Sequence, residues 1–263
     1  MLDLWSVTAE RLELFLLVLF RLGGFFVTAP FWGHARIPRR LRVAIALILA
    51  WLSSPLVSSA GFSAVEDVTA LAGLALREVV TGGIIGFAYA ILFFGVHSAG
   101  RAAGMQMGFA IVNVIDPHTQ KNISILGQFK FLILMLIFLL IDGHHLILQS
   151  VFDSFRVVPL GSLSAASLVP EKLIRLSALT FVIAVKIAAP MMVTLLLIDV
   201  ALGILARTVP QMQIFLVGFP LKIGVGLFVL AASIPLLSYV FSKLLLQVQD
   251  QTSAIIAAMA AGA

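Results

Sequence analysis

The sequence predicts an all-α membrane protein assembled from about six hydrophobic helical segments. Of its 263 residues, 61% are hydrophobic and only 11% are charged, and the mean hydropathy is +1.14. A soluble domain would carry about 25% charged residues, because a water-facing surface needs them. The apolar stretches are long blocks of Leu, Ile, Val, Ala and Phe without alternation, which is typical of membrane helices rather than barrel strands.

Six apolar runs account for the predicted helices. Each has about twenty residues or more, which is the length at which a helix crosses the hydrocarbon core. We place them near residues 12–32, 41–60, 68–96, 129–150, 173–199 and 213–246. Several contain Pro, Gly or a charged side chain, so we expect broken helices that pack against other protein.

Residues 216–238 illustrate how marginal some of these runs are. Roughly thirteen strongly apolar side chains favour insertion by about 4–8 kcal/mol, and Lys222 opposes it by about 2.5–3.5 kcal/mol. Pro220, Pro235 and three glycines add to the cost. Because the balance is near zero, we expect the chain to be stable only inside a larger helical assembly.

Charges inside two other runs leave two interpretations open. Arg77 and Glu78 are neighbours in one run, and Lys186 precedes Pro190 in another. These side chains either form a local ion pair or reach the interface, or they lie on helices that neighbouring subunits stabilise.

Small residues recur at every fourth position in two places, which predicts close helix packing. The pattern does not distinguish packing within the chain from packing between chains. The two sets are Gly82, Gly86 and Ala90, and Gly100, Gly104 and Gly108.

Breakers, amides and isolated charges gather between Asp199 and Gly226. Irregular backbone is tolerated at membrane depth only where protein covers it or water reaches it. Asp199 and Lys222 lie at the ends of two hydrophobic runs, so the segment indicates a protein-lined site or a subunit interface.

The connection over residues 105–126 is too polar to span a bilayer and too apolar for an ordinary solvated loop. Asp116 and Pro117 form a turn signal. Apolar residues precede it, namely Phe109, Ile111, Val112, Val114 and Ile115. We consider an interfacial loop that rests on headgroups, and a re-entrant segment that plugs a pathway.

Enzymatic chemistry is not indicated by any motif. The sequence contains no metalloprotease His-Glu-x-x-His, no Gly-x-Ser-x-Gly elbow and no phosphate-binding Gly-rich loop. His144 and His145 are adjacent, so on a helix they would face directions about 100° apart. Without a nearby acidic ligand we expect helix-end residues, and we predict no catalytic, cofactor or metal site. No segment alternates basic and aromatic residues, so no nucleic-acid partner is expected.

Two long motifs carry a resemblance to the flagellar biosynthesis protein R family (FliR), whose virulence counterpart is the T-type subunit of type III secretion export gates. The first reads Ala99-Gly100-x3-Gly104-x-Gln106-x-Gly108-Phe109, followed by Asp116-Pro117. The second reads Asp199, Leu202-Gly203, then Arg207-x2-Pro210-Gln211-Met212-x2-Phe215-x2-Gly218-x-Pro220-x-Lys222. Gln213 departs from the family, which more often has Asn there. Gly143-His144-His145 resembles the flagellar members.

The resemblance implies a structural, non-enzymatic subunit of a flagellar export gate in the bacterial inner membrane, at the flagellar basal body. Residues 1–170 would be similar to the P subunit and residues 171–263 to the Q subunit. The implied partners are the P, Q and B subunits, the A-type export-gate protein and unfolded export substrates in transit.

The resemblance also implies roles for individual residues. Pore plug or gate residues would be Phe109, Ile111, Val112, Val114, Ile115, Asp116 and Pro117. Helix-packing or interface residues would be Gly100, Gly104, Gln106, Gly108, Asp199, Gly203, Arg207, Pro210, Gln211, Phe215, Gly218, Pro220 and Lys222. The four-residue spacing of small residues adds Gly82 and Gly86 to this set.

Two alternatives to an export channel remain at this point. One is a multi-pass secondary transporter with a midplane site around Asp199 and Lys222. Such a transporter would normally show an inverted repeat, and we find no convincing internal repeat. The other is a membrane scaffold without a pore, which would need no plug.

Overall fold

A computed structural model describes residues 2–33, 37–57, 67–109, 125–163, 170–209, 211 and 213–261. Over these ranges the chain forms seven α-helices and one short 3₁₀ segment, Ser54–Leu56, with no strand. The helices are α1 (Leu2–Thr28), α2 (Arg39–Ser53), α3 (Val68–Gln106), α4 (Ile125–Leu140), α5 (Gly143–Val157), α6 (Pro170–Thr208) and α7 (Ile214–Ala261). The all-α prediction is confirmed.

All six predicted runs fall on helices, but they are not all full membrane spans. Three helices of the described chain, α3, α6 and α7, are long and apolar enough to cross a membrane, and α4 with α5 would be a fourth as one broken span. The 15 residues of α2 are too few for the hydrocarbon core. The run at 129–150 is interrupted because Ile141 and Asp142 form a turn, with Asp142 at a φ of 55°.

Three of the prolines lie inside helices instead of ending them. Pro190 is within α6, and Pro220 and Pro235 are within α7. Proline removes one backbone hydrogen bond, and membrane helices tolerate this where neighbouring groups satisfy the freed carbonyl. The break inside the predicted run at 129–150 therefore comes from a turn, and Pro190, Pro220 and Pro235 end no helix.

One compact unit comprises residues 1–91, 142–176 and 245–263. Its core includes α1 side chains such as Leu17, Leu22 and Phe25, which are fully buried. The first small-residue set lies where α3 meets α1. A Cβ on Gly82 would collide with the Arg21 carbonyl oxygen, and one on Gly86 would lie 2.8 Å from the Phe25 carbonyl oxygen. This set therefore packs within the chain.

The second unit comprises residues 92–141 and 177–244. Phe93 makes edge-to-face contacts with Phe131, Phe138 and Phe241, with ring centroids 5.3–6.0 Å apart. A Cβ on Gly100 would lie 2.6 Å from the Cα of Gly127, so α3 and α4 touch through backbone. Gly100 therefore also lies at a close helix contact within the chain.

Candidate functional site

A buried ion pair joins α1 to α3 in the first unit. Arg21 Nε lies 2.5 Å from Glu78 Oε2, and the two side chains are 0% and 1% exposed. Arg21 also donates to the backbone carbonyls of Ser154 and Val158, each at 3.1 Å. Glu78 accepts the Gly161 N–H at 2.6 Å. Both buried charges are therefore hydrogen-bonded in several directions, which is the condition for tolerating them.

The partner of Glu78 differs from the sequence-based interpretation. The interpretation that Glu78 pairs locally with Arg77 is wrong. Glu78 accepts a hydrogen bond from Arg21, and Arg77 donates to the Gly161 carbonyl at 3.1 Å. Residues 57 positions apart give no pairing signal in a single sequence. The network fastens two helices and the turn after α5, which is a structural role.

Helix α3 ends in a Schellman motif directly before the predicted plug. Gly108 has a φ of +93° and donates its N–H to the Met105 carbonyl at 3.1 Å. The N–H of Phe109 bonds the Gly104 carbonyl at 3.1 Å. These two bonds are the pair that defines the motif, and glycine is favoured at its left-handed position. The small residue at 108 is therefore needed for backbone geometry as well as packing.

The end of α3 is held by a hydrophobic cluster. Phe109 packs against buried side chains from α3, α4, α6 and α7, namely Ala103, Met107, Leu126, Met191, Leu195 and Leu230. A Cβ on Gly226 would lie 2.6 Å from Met107 Cε, so glycine admits the methionine side chain. The first residue of the predicted plug is anchored on this cluster. The other plug residues, Ile111, Val112, Val114, Ile115, Asp116 and Pro117, lie outside the described residues.

Asp199 and Lys222, the two isolated charges, form an ion pair between α6 and α7. Their side chains are 38% and 20% exposed, respectively. The pair lines a cleft of about 300 Å³. The remaining lining residues are Leu202, Gly203, Ala206, Ile214, Phe215, Gly218 and Phe219. A paired aspartate and lysine neutralise each other, so neither charge is set apart to bind a transported ion.

Some of the other predicted packing residues make contacts within the chain, and others are exposed. Gln106 donates to the Met192 carbonyl at 3.3 Å, and a Cβ on Gly218 would approach Leu202 at 3.2 Å. In contrast, Gly203 has open space around it. Four further predicted residues are exposed, namely Arg207, Gln211, Phe215 and Pro220, and Pro210 lies outside the described residues.

Sequence reasoning missed Lys130, a lysine that is 2% exposed on α4. It lines a small cavity of about 30 Å³ together with Lys186, Pro190 and Ser233. No acidic residue lines this cavity within the described chain. The high hydropathy of the surrounding run drew attention away from Lys130. A search for charged residues inside the apolar runs would have found it.

The two adjacent histidines have an acidic neighbour that the sequence interpretation overlooked. Ligand atoms of Asp142, His144 and His145 all lie within 4.8 Å of one another. The two imidazole centroids are 4.1 Å apart. The expectation that these side chains diverge is wrong, because all three lie in the turn that opens α5. The signal was the sequence Asp-Gly-His-His itself.

Residues 12–248 of the chain match the family described as bacterial export proteins, family 1. The chain belongs to this family. It is also similar to flagellar biosynthetic protein FliR of Bacillus subtilis (strain 168), at 36% identity over 82% of this chain and 84% of that protein. Another relative is FliR of Aquifex aeolicus (strain VF5), at 31% identity over 90% and 92% of the two chains. The surface presentation of antigens protein SpaR of Shigella sonnei is 30% identical over 84% and 86%.

Membership of this family of export proteins settles the class of protein. The chain is a membrane subunit of a type III protein export apparatus, and the transporter alternative is not favoured. The family membership also associates it with other components of the export gate. The apolar lengths of α3, α6 and α7 agree with a membrane location.

Proposed function

We propose that this export-family member is a structural subunit of the flagellar export gate that supplies part of the pore wall and its plug. The observation that carries the proposal is the Schellman motif at Gly108, which starts residues 109–117 from a fixed point. Phe109 is anchored on the cluster formed by α3, α4, α6 and α7. A plug needs such an anchor, because a segment that blocks a pathway must resist being carried along with the substrate.

In this proposal the protein performs no bond chemistry and its packing residues set the shape of the wall. The Asp199–Lys222 pair and the close contact of Gly218 with Leu202 hold α6 beside α7. Unfolded flagellar proteins pass the plug when it moves. We place the subunit in the inner membrane at the flagellar basal body, with the P, Q and B subunits and the A-type export-gate protein. Residues 1–170 would be P-like, and residues 171–263 would be Q-like.

Exposed apolar side chains support the presence of partner subunits. In α6 and α7 only 28% and 17% of the most apolar window is buried, against 72% in α3. Phe181, Phe215 and Phe228 are 74–78% exposed. Exposed apolar surface on this scale marks a protein or membrane contact, and in this proposal protein partners cover it.

Deletion of residues 110–115 tests the plug. We expect the complex to assemble as before and to conduct ions when reconstituted in a planar bilayer, because the apolar side chains that close the pathway are gone. The matched control is Gly203→Ala, which changes an open position outside the plug. An assembled deletion complex with unchanged conductance would contradict the plug assignment.

A tagged purification from native membranes tests the partners separately. Mild detergent should release one large particle that contains two small hydrophobic subunits in excess of this chain, as measured by mass spectrometry and native sizing. A lone monomer or a homodimer would contradict the gate proposal, whatever the plug deletion does.

A further inference from the structure

The turn that opens α5 brings together three side chains that the export function does not use. Asp142, His144 and His145 place one ligand atom each within 4.8 Å of the others. We propose that this cluster binds one divalent transition-metal ion of the zinc type. The proposal does not depend on the plug or on any partner subunit.

The distances suit a metal ion better than a plain hydrogen bond. His145 Nδ1 and Asp142 Oδ1 are 3.4 Å apart, which is long for a charge-assisted hydrogen bond. Zinc binds imidazole nitrogen and carboxylate oxygen at about 2.0–2.2 Å, so two ligands on a tetrahedral ion lie about 3.3 Å apart. The observed pair already has this spacing, and the ligand atom of His144 lies within 4.8 Å of both.

An unsatisfied atom supports the site independently. The Nδ1 of His144 is buried and has no hydrogen-bond partner within the described structure. Buried polar atoms are nearly always paired, so an orphan ring nitrogen calls for a ligand. Neutral imidazole nitrogen is a common metal ligand, and coordination through either ring nitrogen leaves the other to donate a hydrogen bond.

The backbone holds the three residues in place. Asp142 has a φ of 55°, which is uncommon for a residue other than glycine. Its carbonyl accepts the N–H groups of His145 at 3.0 Å and Leu146 at 3.3 Å. The turn is thus tied to the first residues of α5.

The ligand set decides which ions fit. Two imidazoles and one carboxylate suit zinc, nickel, cobalt or copper, whereas magnesium and calcium prefer oxygen ligands alone. Three protein ligands leave a fourth tetrahedral position open for water or another side chain. The Asp142 and His145 side chains are 74% and 71% exposed, so no other part of the described chain covers the site.

Titration of the full chain with zinc, by calorimetry in detergent and with a tag that lacks histidine, tests the site. We expect one ion per chain and, on replacement by cobalt, the visible absorption of a tetrahedral site. Asp142→Asn and His145→Ala should each weaken binding at least tenfold, in line with the cost of disturbing a metal's surroundings. Asparagine keeps the size of Asp142 and is favoured at positive φ, so the fold should survive.

His97→Ala is the matched control, because His97 lies on α3 outside the cluster. It should bind zinc as the unchanged protein does. A dissociation constant above about 1 mM, which corresponds to about −4 kcal/mol, would overturn the proposal. So would binding in the His144→Ala/His145→Ala double variant within tenfold of the unchanged protein.

Discussion

Arg21 and Glu78 differ from Asp199 and Lys222 in how far water reaches each pair. The first two side chains are essentially excluded from solvent, whereas the second two keep 38% and 20% of their surface. Removing one partner of a buried pair strands a charge in a low dielectric, but water screens a partly exposed pair. Equal formal charges therefore have very different structural consequences.

Glu78→Gln should lower the free energy of unfolding by about 3–5 kcal/mol, because it leaves Arg21 charged and buried without a counter-charge. Equilibrium unfolding in mixed detergent measures this loss. Arg77→Gln is the control on the neighbouring position. Arg77 is exposed and donates one hydrogen bond to Gly161, so its loss should cost less than about 1.5 kcal/mol. Similar losses in the two variants would contradict the assignment.

Asp199→Asn should change the free energy of unfolding by no more than about 1 kcal/mol, since the ion pair is partly exposed. The charge-swapped variant Asp199→Lys/Lys222→Asp should recover what the single variant loses. The same unfolding assay measures both. A loss of several kcal/mol that the swap leaves unrepaired would mean that Asp199 does more than pair with Lys222.

At the scale of elements, α1 and α3 approach through glycines at which a Cβ would clash with the backbone of the other helix. Gly82→Ala would place a Cβ against the Arg21 carbonyl oxygen, and relief requires that the helices move apart. Overpacking of this kind costs about 1–3 kcal/mol. Gly203→Ala is the control, because a Cβ there meets nothing within 4 Å. It should stabilise α6 by up to about 1 kcal/mol through helix propensity.

Thermal unfolding of the two glycine variants in detergent checks this prediction. The expected result is a lower midpoint for Gly82→Ala and an unchanged or higher midpoint for Gly203→Ala. If both variants shifted in the same direction by the same amount, general loss of backbone freedom would explain the result and the close approach would not.

At the scale of the whole molecule, the three helices of membrane length differ in burial: α3 is mostly buried, and α6 and α7 are mostly exposed. Most of the apolar window of α3 is buried, whereas α6 and α7 leave most of theirs uncovered. A photo-crosslinking residue at Phe181 or Phe228 should therefore form adducts with partner subunits in native membranes. Mass spectrometry of the adducts separates protein from lipid.

Phe138 is the control for crosslinking, since it is 0% exposed. The same photo-crosslinker at that position should react only within the chain. Adducts with lipid alone at both Phe181 and Phe228 would mean that lipid, not protein, covers α6 and α7.

Single-sequence reasoning predicted the helices better than their ends. Composition alone identified an all-α membrane protein, and the spacing of Gly82, Gly86 and Gly100 identified close contacts. The break at Asp142 was missed because the run was placed by its apolar content alone, although the polar sequence Asp-Gly-His-His interrupts it. The continuity of α6 through Pro190 was missed because the neighbours that tolerate a proline are distant in the chain.

For the candidate site, the sequence singled out several residues but did not show their partners or their backbone conformation. Asp199 and Lys222 stood out because charges are rare in apolar runs, yet their pairing was not visible from positions 23 apart. Gly108 was noted as a small residue, whereas its positive φ depends on how the chain leaves α3. Lys130 went unnoticed within one of the most hydrophobic helices.

The sequence by itself determined the class of the protein, because charge content and hydropathy report directly on the solvent that a surface must face. It also determined which positions lack side-chain bulk. Only the tertiary structure decided the partners, namely Arg21 with Glu78 and Asp199 with Lys222. Pairing depends on which helix faces are brought together, and that is settled by the packing of the whole chain rather than by any local pattern.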